Sequence, residues 1–557
     1  MNELPAAVIS QRLREGDRAA AFIPQLRSHW RQRSEPELRE WHALIDLLLS
    51  GAVAPRKVFL WVDDLYDPVK GDWSQALRSP GIQECRLIGN RIHLERAIGR
   101  EKKVLGDGKP DWEIRLALSL AKSSAHKLML HEFVTQGMFM AFSQALRFNR
   151  TLQHLDVDLY QVTGTAWVSS ILDYNSTLHT LILHCWCTSL LEPLASSLLS
   201  NTTLRHLRLV RRMLDSPSRT EKEVLFFNAL GRNRGLRSFA QFEEVLARDS
   251  CQALADALAT NPTLVEVDLS FGSRLGFQIV VERGLLASNN IVGLNLWEMT
   301  DPFTVCPDLL ARVMAEKPIR RLELFLTRDI TDAPLLAMPT TNHLVELKIF
   351  GTRVGQAWRA LADVVKRSAS LRNLHVTSYG SRDSIPDTSL FCAIAKHPFL
   401  EEFYVKGIHC TVELAEIVKT HPSLTTIGCY IASVAEAQAL IAAAKANPRL
   451  LKVKHRLRWV SHDDHEFREK VKPIIHVLHS YLEMNRHGRH KLLIEHPFLL
   501  ADLLGSVIDF RTRINLVMEN PEPLIQAIHS RSFDVATQSK HMASKKRKRD
   551  RPVLSLE

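Results

Sequence analysis

The chain has 557 residues, 45% of them hydrophobic and 24% charged, with a net charge of +11. This is the composition of a water-facing folded protein, and no apolar run reaches the roughly 18 residues needed to cross a bilayer, so no membrane association is expected. The six bases and one acid of Lys545–Arg551 supply +5 of the +11, which leaves the rest mildly basic and disfavours nucleic acid as the partner.

The first residues, "MNELPAAVISQRLREGDRAA", lack a basic start followed by an apolar stretch, so no secretory signal is expected. Residues 1–56 read as a helical N-terminal region, with "ELREWHALIDLLLSG" its clearest helix and Gly51 its stop. Residues 57–147 carry degenerate copies of a pattern that becomes plain later: "SPGIQECRLI" near Ser79 and "SAHKLMLHEF" with Leu128 and Leu130.

From Asn149 the pattern is regular. "NRTLQHLDVD" is followed by "NSTLHTLILH" from Asn175 and "NTTLRHLRLV" from Asn201. A looser "NRGLRSFAQF" from Asn233 precedes "NPTLVEVDLS" from Asn261, and the series closes with "HPSLTTIGCY" from His421 and "NPRLLKVKHR" from Asn447. With the first letter as position 0, apolar residues stand at +3, +6 and +8. Twelve units begin between 149 and 447, spaced 24 to 32 residues apart. Before each start, apolar residues sit at −7 and −3, as in Leu194/Leu198 and Leu361/Val365, often with an alanine after the first (Ala195, Ala362). Alternation at +6 and +8 predicts a strand, and the four-residue interval predicts a helix. Asn-Pro, His-Pro or Asn-Thr then stops that helix. One such unit cannot bury its own apolar face, so stacking is obligatory.

The LxxLxL of Leu204-Leu207-Leu209 and Leu264-Val267-Leu269 resembles the leucine-rich-repeat family, in its ribonuclease-inhibitor-like class. The resemblance covers about residues 125–460. It implies an α/β solenoid, a horseshoe of strand-helix units at 148–460 with helical N- and C-terminal caps. The family usually has Asn or Cys at +11, bonding the loop backbone. Here +11 is Tyr160, Trp186, Gly272, Met299, Thr327 and Thr352, so that ladder is expected to be absent and the loops irregular.

In such an array positions +4, +5, +7 and +9 face the concave side. Position +9 is Trp297, Phe325 and Phe350 in three successive units, with Tyr404 (+7), Tyr430 (+9) and Phe271 (+10) nearby. An exposed aromatic stripe marks a binding surface; the alternative is that these rings tuck under loops. Charges flank it, among them Asp268, Arg320, Glu323 and Lys348, and Arg205, His206, Arg208 and Arg211 form a basic cluster nearer the N-terminus. Mixed charge suits a protein partner.

The ends add alternatives. Leu4-Pro5, Val8, Ile9, Leu13, Asp17 and Trp30 loosely resemble an F-box, which implies an SKP1-type adaptor and a substrate-recognition role in a ubiquitin ligase; Ala7 and "RAAAF" depart from that pattern, and a plain helical cap is the competing reading. Residues 461–535 read as a helical C-terminal cap. Within it "SYLEMNRHGRHKLL" resembles the segment that follows some arrays of this class, with Leu482, Met484 and Leu492 facing inward. "HDDH" (His462–His465) reads as surface histidines rather than a metal site. Residues 536–557 read as a disordered basic tail whose Lys545, Lys546, Arg547, Lys548 and Arg549 resemble a nuclear localisation signal, implying an importin.

Eight scattered cysteines without a CxxC pair read as reduced thiols of an intracellular protein. No P-loop, Rossmann fingerprint or GxSxG elbow occurs. Some bacterial leucine-rich-repeat proteins are ubiquitin ligases with a Cys-x-Asp in a C-terminal domain; here Cys306–Asp308 lies inside the repeats and no cysteine follows 455. The expected function is therefore that of a non-catalytic binding scaffold without cofactor or metal. An effector exported without a conventional signal, acting in the nucleus of a eukaryotic host cell, fits the same features. An effector with an unrecognised C-terminal activity stands as a further alternative.

Overall fold

The repeated apolar letters point inward. Leu204, Leu207 and Leu209 are at most 1% exposed, and Leu264, Val267 and Leu269 at most 2%. A computed structural model describes residues 57–61, 84–88 and 124–486, apart from the loops 132–135, 159–164, 213–218, 243–245, 299–306, 326–334, 339–342, 352–356, 379–387 and 458–464 and a few single residues. The chain divides into two units, residues 1–327 and 328–557.

In the first unit the strands are β1 (Lys57–Trp61), β2 (Glu84–Ile88), β3 (Lys127–His131), β4 (His154–Asp158) and β5 (Thr180–Trp186), then β6 (His206–Arg212), β7 (Ser238–Phe242), β8 (Glu266–Phe271), β9 (Gly293–Glu298) and β10 (Arg321–Phe325). They pair in chain order, each parallel to the next. Equivalent letters therefore stand side by side: Leu207 is opposite Leu181 and Phe239. Parallel neighbours need a crossover, which a helix supplies. These helices are α1 (Gln136–Leu146), α2 (Ala166–Leu172), α3 (Leu191–Ser200), α4 (Arg219–Arg232), α5 (Arg248–Thr260), α6 (Arg274–Ile279) and α7 (Pro307–Glu316).

The second unit repeats the scheme with β11 (Glu346–Gly351), β12 (Asn373–Ser378), β13 (Glu402–His409), β14 (Thr426–Ile431) and β15 (Lys452–Leu457), again parallel in chain order. Its helices are α8 (Ala357–Arg367), α9 (Thr388–Lys396), α10 (Val412–Thr420), α11 (Val434–Ala446) and α12 (His465–Arg486). The −7/−3 pairs are buried as the pattern requires, Leu361/Val365, Leu390/Ile394 and Leu414/Val418 among them. The following alanines, Ala362 and Ala415, are buried too, where a small side chain lets helix and sheet approach. The expected α/β solenoid is the fold.

The largest correction concerns the ladder. Instead of lying at +11, it lies at position 0, where the sequence suggested only a helix stop. Asn233 is 1% exposed. Its Nδ2 donates to Leu198 O (2.6 Å) and Asn201 O (2.8 Å) of the preceding repeat, and its Oδ1 accepts from Gly235 N (2.8 Å) and Leu236 N (2.7 Å). Asn175 and Asn261 make the same four bonds. Each rung thus satisfies two orphan carbonyls at one helix end and two amides entering the next strand. Ser288 is too short to span both sides; among the described residues its Oγ meets only Asn290 N, which donates to it at 3.5 Å.

Histidine replaces asparagine in two rungs. Nε2 of His421 lies 3.1 Å from Ile394 O, while Ser423 N and Leu424 N donate to its Nδ1 at 3.3 and 3.1 Å. A carbonyl on one side and two amides on the other select the neutral Nε2–H tautomer. His397 repeats this with Ser368 O at 3.0 Å and Phe399 N at 3.4 Å. Protonation would point an N–H at two N–H donors. His421 is held below the ordinary histidine range, by burial first; its bond to Ile394 O opposes that shift and the nearby His397 adds to it. The unfolded chain then binds the proton more readily than the folded one. The stability from this rung is complete above the ordinary value of about 6.5, and declines as pH falls from there through the lowered folded value. Between about pH 7.5 and pH 5.5, urea midpoints of the wild type should fall more steeply than those of His421→Asn, whose rung does not titrate. Parallel pH profiles for the two proteins would refute this role.

At the C-terminal side α12 packs on α11 with Val471, Leu478 and Leu482 at most 2% exposed. Asn485 is a final rung: its Nδ2 donates to Ala444 O, Asn447 O and Leu450 O at 2.8–3.1 Å. The expected inward Leu482 is so placed; the Met484 side chain, Leu492, the F-box-like start, most of "HDDH" and the basic tail lie outside the described residues.

Candidate functional site

Strand residues between the buried letters form a face opposite the helices, and the parallel register sorts them into rows. In the first unit one row runs Arg208, Ala240, Asp268, Asn295, Glu323, and the next runs Val210, Phe242, Ser270, Trp297, Phe325. Trp297 and Phe325 stack almost parallel, 7° apart with centroids at 3.3 Å. Phe242 meets the other side of Trp297 edge-on at 4.9 Å, reaching across the small Ser270. The three half-buried rings make one patch across β7–β10.

Asp268 underlies the patch. It is 9% exposed, and one oxygen takes the Trp297 indole N–H at 2.5 Å. Its other oxygen is 3.9 Å from the Arg208 guanidinium, which lies 4.6 Å over the Phe242 ring. Arg208 reaches over because Ala240 stands between them in the row. Burial pushes the Asp268 carboxyl up to about 6; Arg208 and the indole bond oppose this, and Glu323 adds to it. Beside it, Arg321 and Glu266 form an ion pair over Gly293, where a Cβ would lie 3.1 Å from Glu266 Cγ. Arg320, just before β10, is exposed.

The second unit holds a different cluster. The Tyr404 ring edge packs against Gly428, where a Cβ would clash with the ring at its Cδ2. His375 is 5.5 Å from that ring and 3.3 Å from Glu402, which also pairs with Lys454. Burial chiefly, and then Lys348 and Lys454, lower the His375 pKa; Glu402 and Glu346 oppose them. Lys348 pairs with Glu346 at 2.8 Å. Phe350 and Tyr430 are half-buried members of β11 and β14.

Of the expected stripe, the geometry thus joins Trp297 and Phe325, with Glu323 in the adjoining row. Phe271 is a correction: at 4% exposure it packs on Phe277, 5.2 Å away, and belongs to the core. Phe242 was missed. It occupies +9 of the loosest unit, and the shared position was the signal that could have found it. The use of Asp268 as the floor was not legible, because a carboxylate between apolar letters reads as solvated.

This arrangement defines an α/β solenoid whose strand face carries an aromatic patch with a buried carboxylate. No protein-family model matches the chain, and no curated protein does. Among solved structures, the Rad7–Elc1 complex of yeast is similar at 12% identity and a TM-score of 0.37, covering 79% of this chain and 97% of that chain. The leucine-rich repeat-containing protein LegL7 from Legionella pneumophila is similar at 13% identity and a TM-score of 0.25, covering 76% and 90%.

Proposed function

We propose that the protein is a non-catalytic scaffold that binds a protein partner across the strand face, and that its units are of the ribonuclease-inhibitor-like class, since an α-helix completes most of them. The observation that carries the binding role is the contiguous Phe242–Trp297–Phe325 patch. Three rings rest on a rigid sheet, pre-oriented by stacking and by the indole bond to Asp268, so binding costs little side-chain entropy. Such aromatic anchors are where interface energy concentrates. Arg208, fixed over one ring, adds a directional charge at the rim.

The test is quantitative affinity capture from eukaryotic lysate with the full chain. Proteins retained by the wild type should be lost at least roughly tenfold with Phe242→Ala plus Trp297→Ala. Leu225→Ala, at a 48% exposed site on α4, serves as the control and should capture them normally. The double variant should lose about 1–3 kcal/mol of stability, since its rings are only half-buried. Equal capture by all three proteins, with the double variant folded, would overturn the assignment.

A further inference from the structure

We propose, on the reading that the strand face binds the partner, that Asp268 is a proton-operated latch of the aromatic patch: ionised, it holds Trp297 and Arg208 in place for binding, and protonated it loosens both. One carboxylate here joins parts of the patch that come from opposite sides of β8. Its Oδ1 accepts the Trp297 indole N–H from β9 at 2.5 Å, and its Oδ2 lies 3.9 Å from the Arg208 guanidinium of β6. Arg208 in turn covers the Phe242 ring at 4.6 Å. Trp297 stacks on Phe325 and takes the edge contact of Phe242. All three rings therefore hang on contacts that lead back to Asp268.

The groups around this carboxylate come from every neighbouring strand. β7 presents Ser238, Ala240 and Phe242, none of which titrates. β9 adds Asn295, whose side chain also hydrogen-bonds Asp268. β10 contributes Glu323, beyond Asn295 in the same row, and Arg321, which is paired with Glu266 of β8 itself. On β6 the exposed His206 stands two positions before Arg208. Burial disfavours the charge on Asp268 and Glu323 adds to this, while Arg208, the indole and Asn295 favour it; the carboxyl is left at about 6. A change of about one pH unit to either side converts it from mostly charged to mostly neutral.

Ionised, Asp268 strengthens both contacts with its charge. A proton taken up on Oδ2 turns that acceptor into an O–H facing the N–H donors of Arg208, and the ion pair is lost. The indole keeps only a neutral acceptor, a bond roughly half as strong. Arg208, whose side chain is 43% exposed, then turns to water and uncovers Phe242. The rings lose the pre-orientation that keeps the entropic cost of binding low. The sheet itself is not weakened by this proton. The folded chain binds it more readily than the unfolded one, so the stability it brings is complete below the ordinary value of 3.8 and is lost as pH rises through about 6. Acidification through this group loosens the patch without starting to unfold the solenoid.

The probe is the fluorine NMR resonance of Trp297 in the full chain labelled with fluorotryptophan, assigned among the ten tryptophans by its loss in Trp297→Phe. It should titrate with a midpoint at about pH 6, and that step should be absent in Asp268→Asn, which cannot ionise. Histidine titrations, that of His206 included, are common to both proteins. Arg208→Gln should move the midpoint upward by about half a pH unit or more. It also decides the matter if Asp268→Asn fails to fold, which melting curves reveal. A resonance that does not titrate, or titrates alike in the wild type and the folded variants, would overturn the latch. In lysate capture, proteins that need Phe242 and Trp297 should be retained several-fold less by the wild type at about pH 5.5 than at about pH 7.5, and at one low level at both by Asp268→Asn. Patch-dependent capture that is equal at the two pH values in the wild type would sink the latch alone. A titrating Trp297 with capture insensitive to Phe242 and Trp297 would sink the binding role of the patch, and its regulation with it.

Discussion

Leu207→Asp is expected to destabilise the first unit by about 4 kcal/mol or more, a fall of about 10 °C in its melting temperature. Leu207 is 1% exposed, between Leu181 and Phe239 on the neighbouring strands. A carboxylate there would have no charged partner and would sit in the shared core. Leu269→Asp, at a 2% exposed site on β8, should do the same. The control is Val210→Asp on β6: its half-exposed side chain lies in the outward row, and the change should move the melting temperature by no more than about 2 °C. Circular dichroism melts of the three variants decide the matter. If either leucine variant melts with the wild type, or Val210→Asp is as damaging as they are, the register assigned to the strands is wrong.

Asn233→Ala should be nearly as costly, at about 3 kcal/mol, although it removes only one polar side chain. Four buried backbone groups lose their partner: the carbonyls of Leu198 and Asn201 and the amides of Gly235 and Leu236. Each buried unsatisfied group costs about 1–3 kcal/mol before relaxation or an entering water recovers part of it. Asn233→Asp separates the halves of the rung. It keeps the acceptor for the two amides but faces two carbonyls with no donor, so it should remain well below the wild type. Asn233→His should recover much of the loss, since His397 and His421 perform the same bridging in the second unit. Urea titrations rank the four proteins. An alanine variant within about 0.5 kcal/mol of the wild type would reduce position 0 to the helix stop that the sequence alone suggests.

These expectations separate what the letters reveal from what the fold decides. Core positions +3, +6 and +8 and the −7/−3 helix pairs were legible, because burial imposes a period and a period survives in one dimension. Position 0 was visible as a repeated Asn or His, yet its work was not, since each side chain bonds backbone about 26 to 35 residues away. Hydrogen bonds to a neighbouring repeat leave no local pattern. The outward face was legible only as a set of candidates. Trp297 and Phe325 share a position number, but stacking is a matter of rotamers and of Ser270 leaving room for Phe242. Asp268 becomes a floor because Ala240 is small enough for Arg208 to reach it. Glu266 meets Arg321 because Gly293 between them has no side chain. Whether a small residue on one strand lets its two neighbours touch depends on register across three strands, and only the assembled sheet sets that register. By itself the sequence determined the repeating core of this protein; only the tertiary structure decided how the outward side chains meet, because their contacts run across strands rather than along the chain.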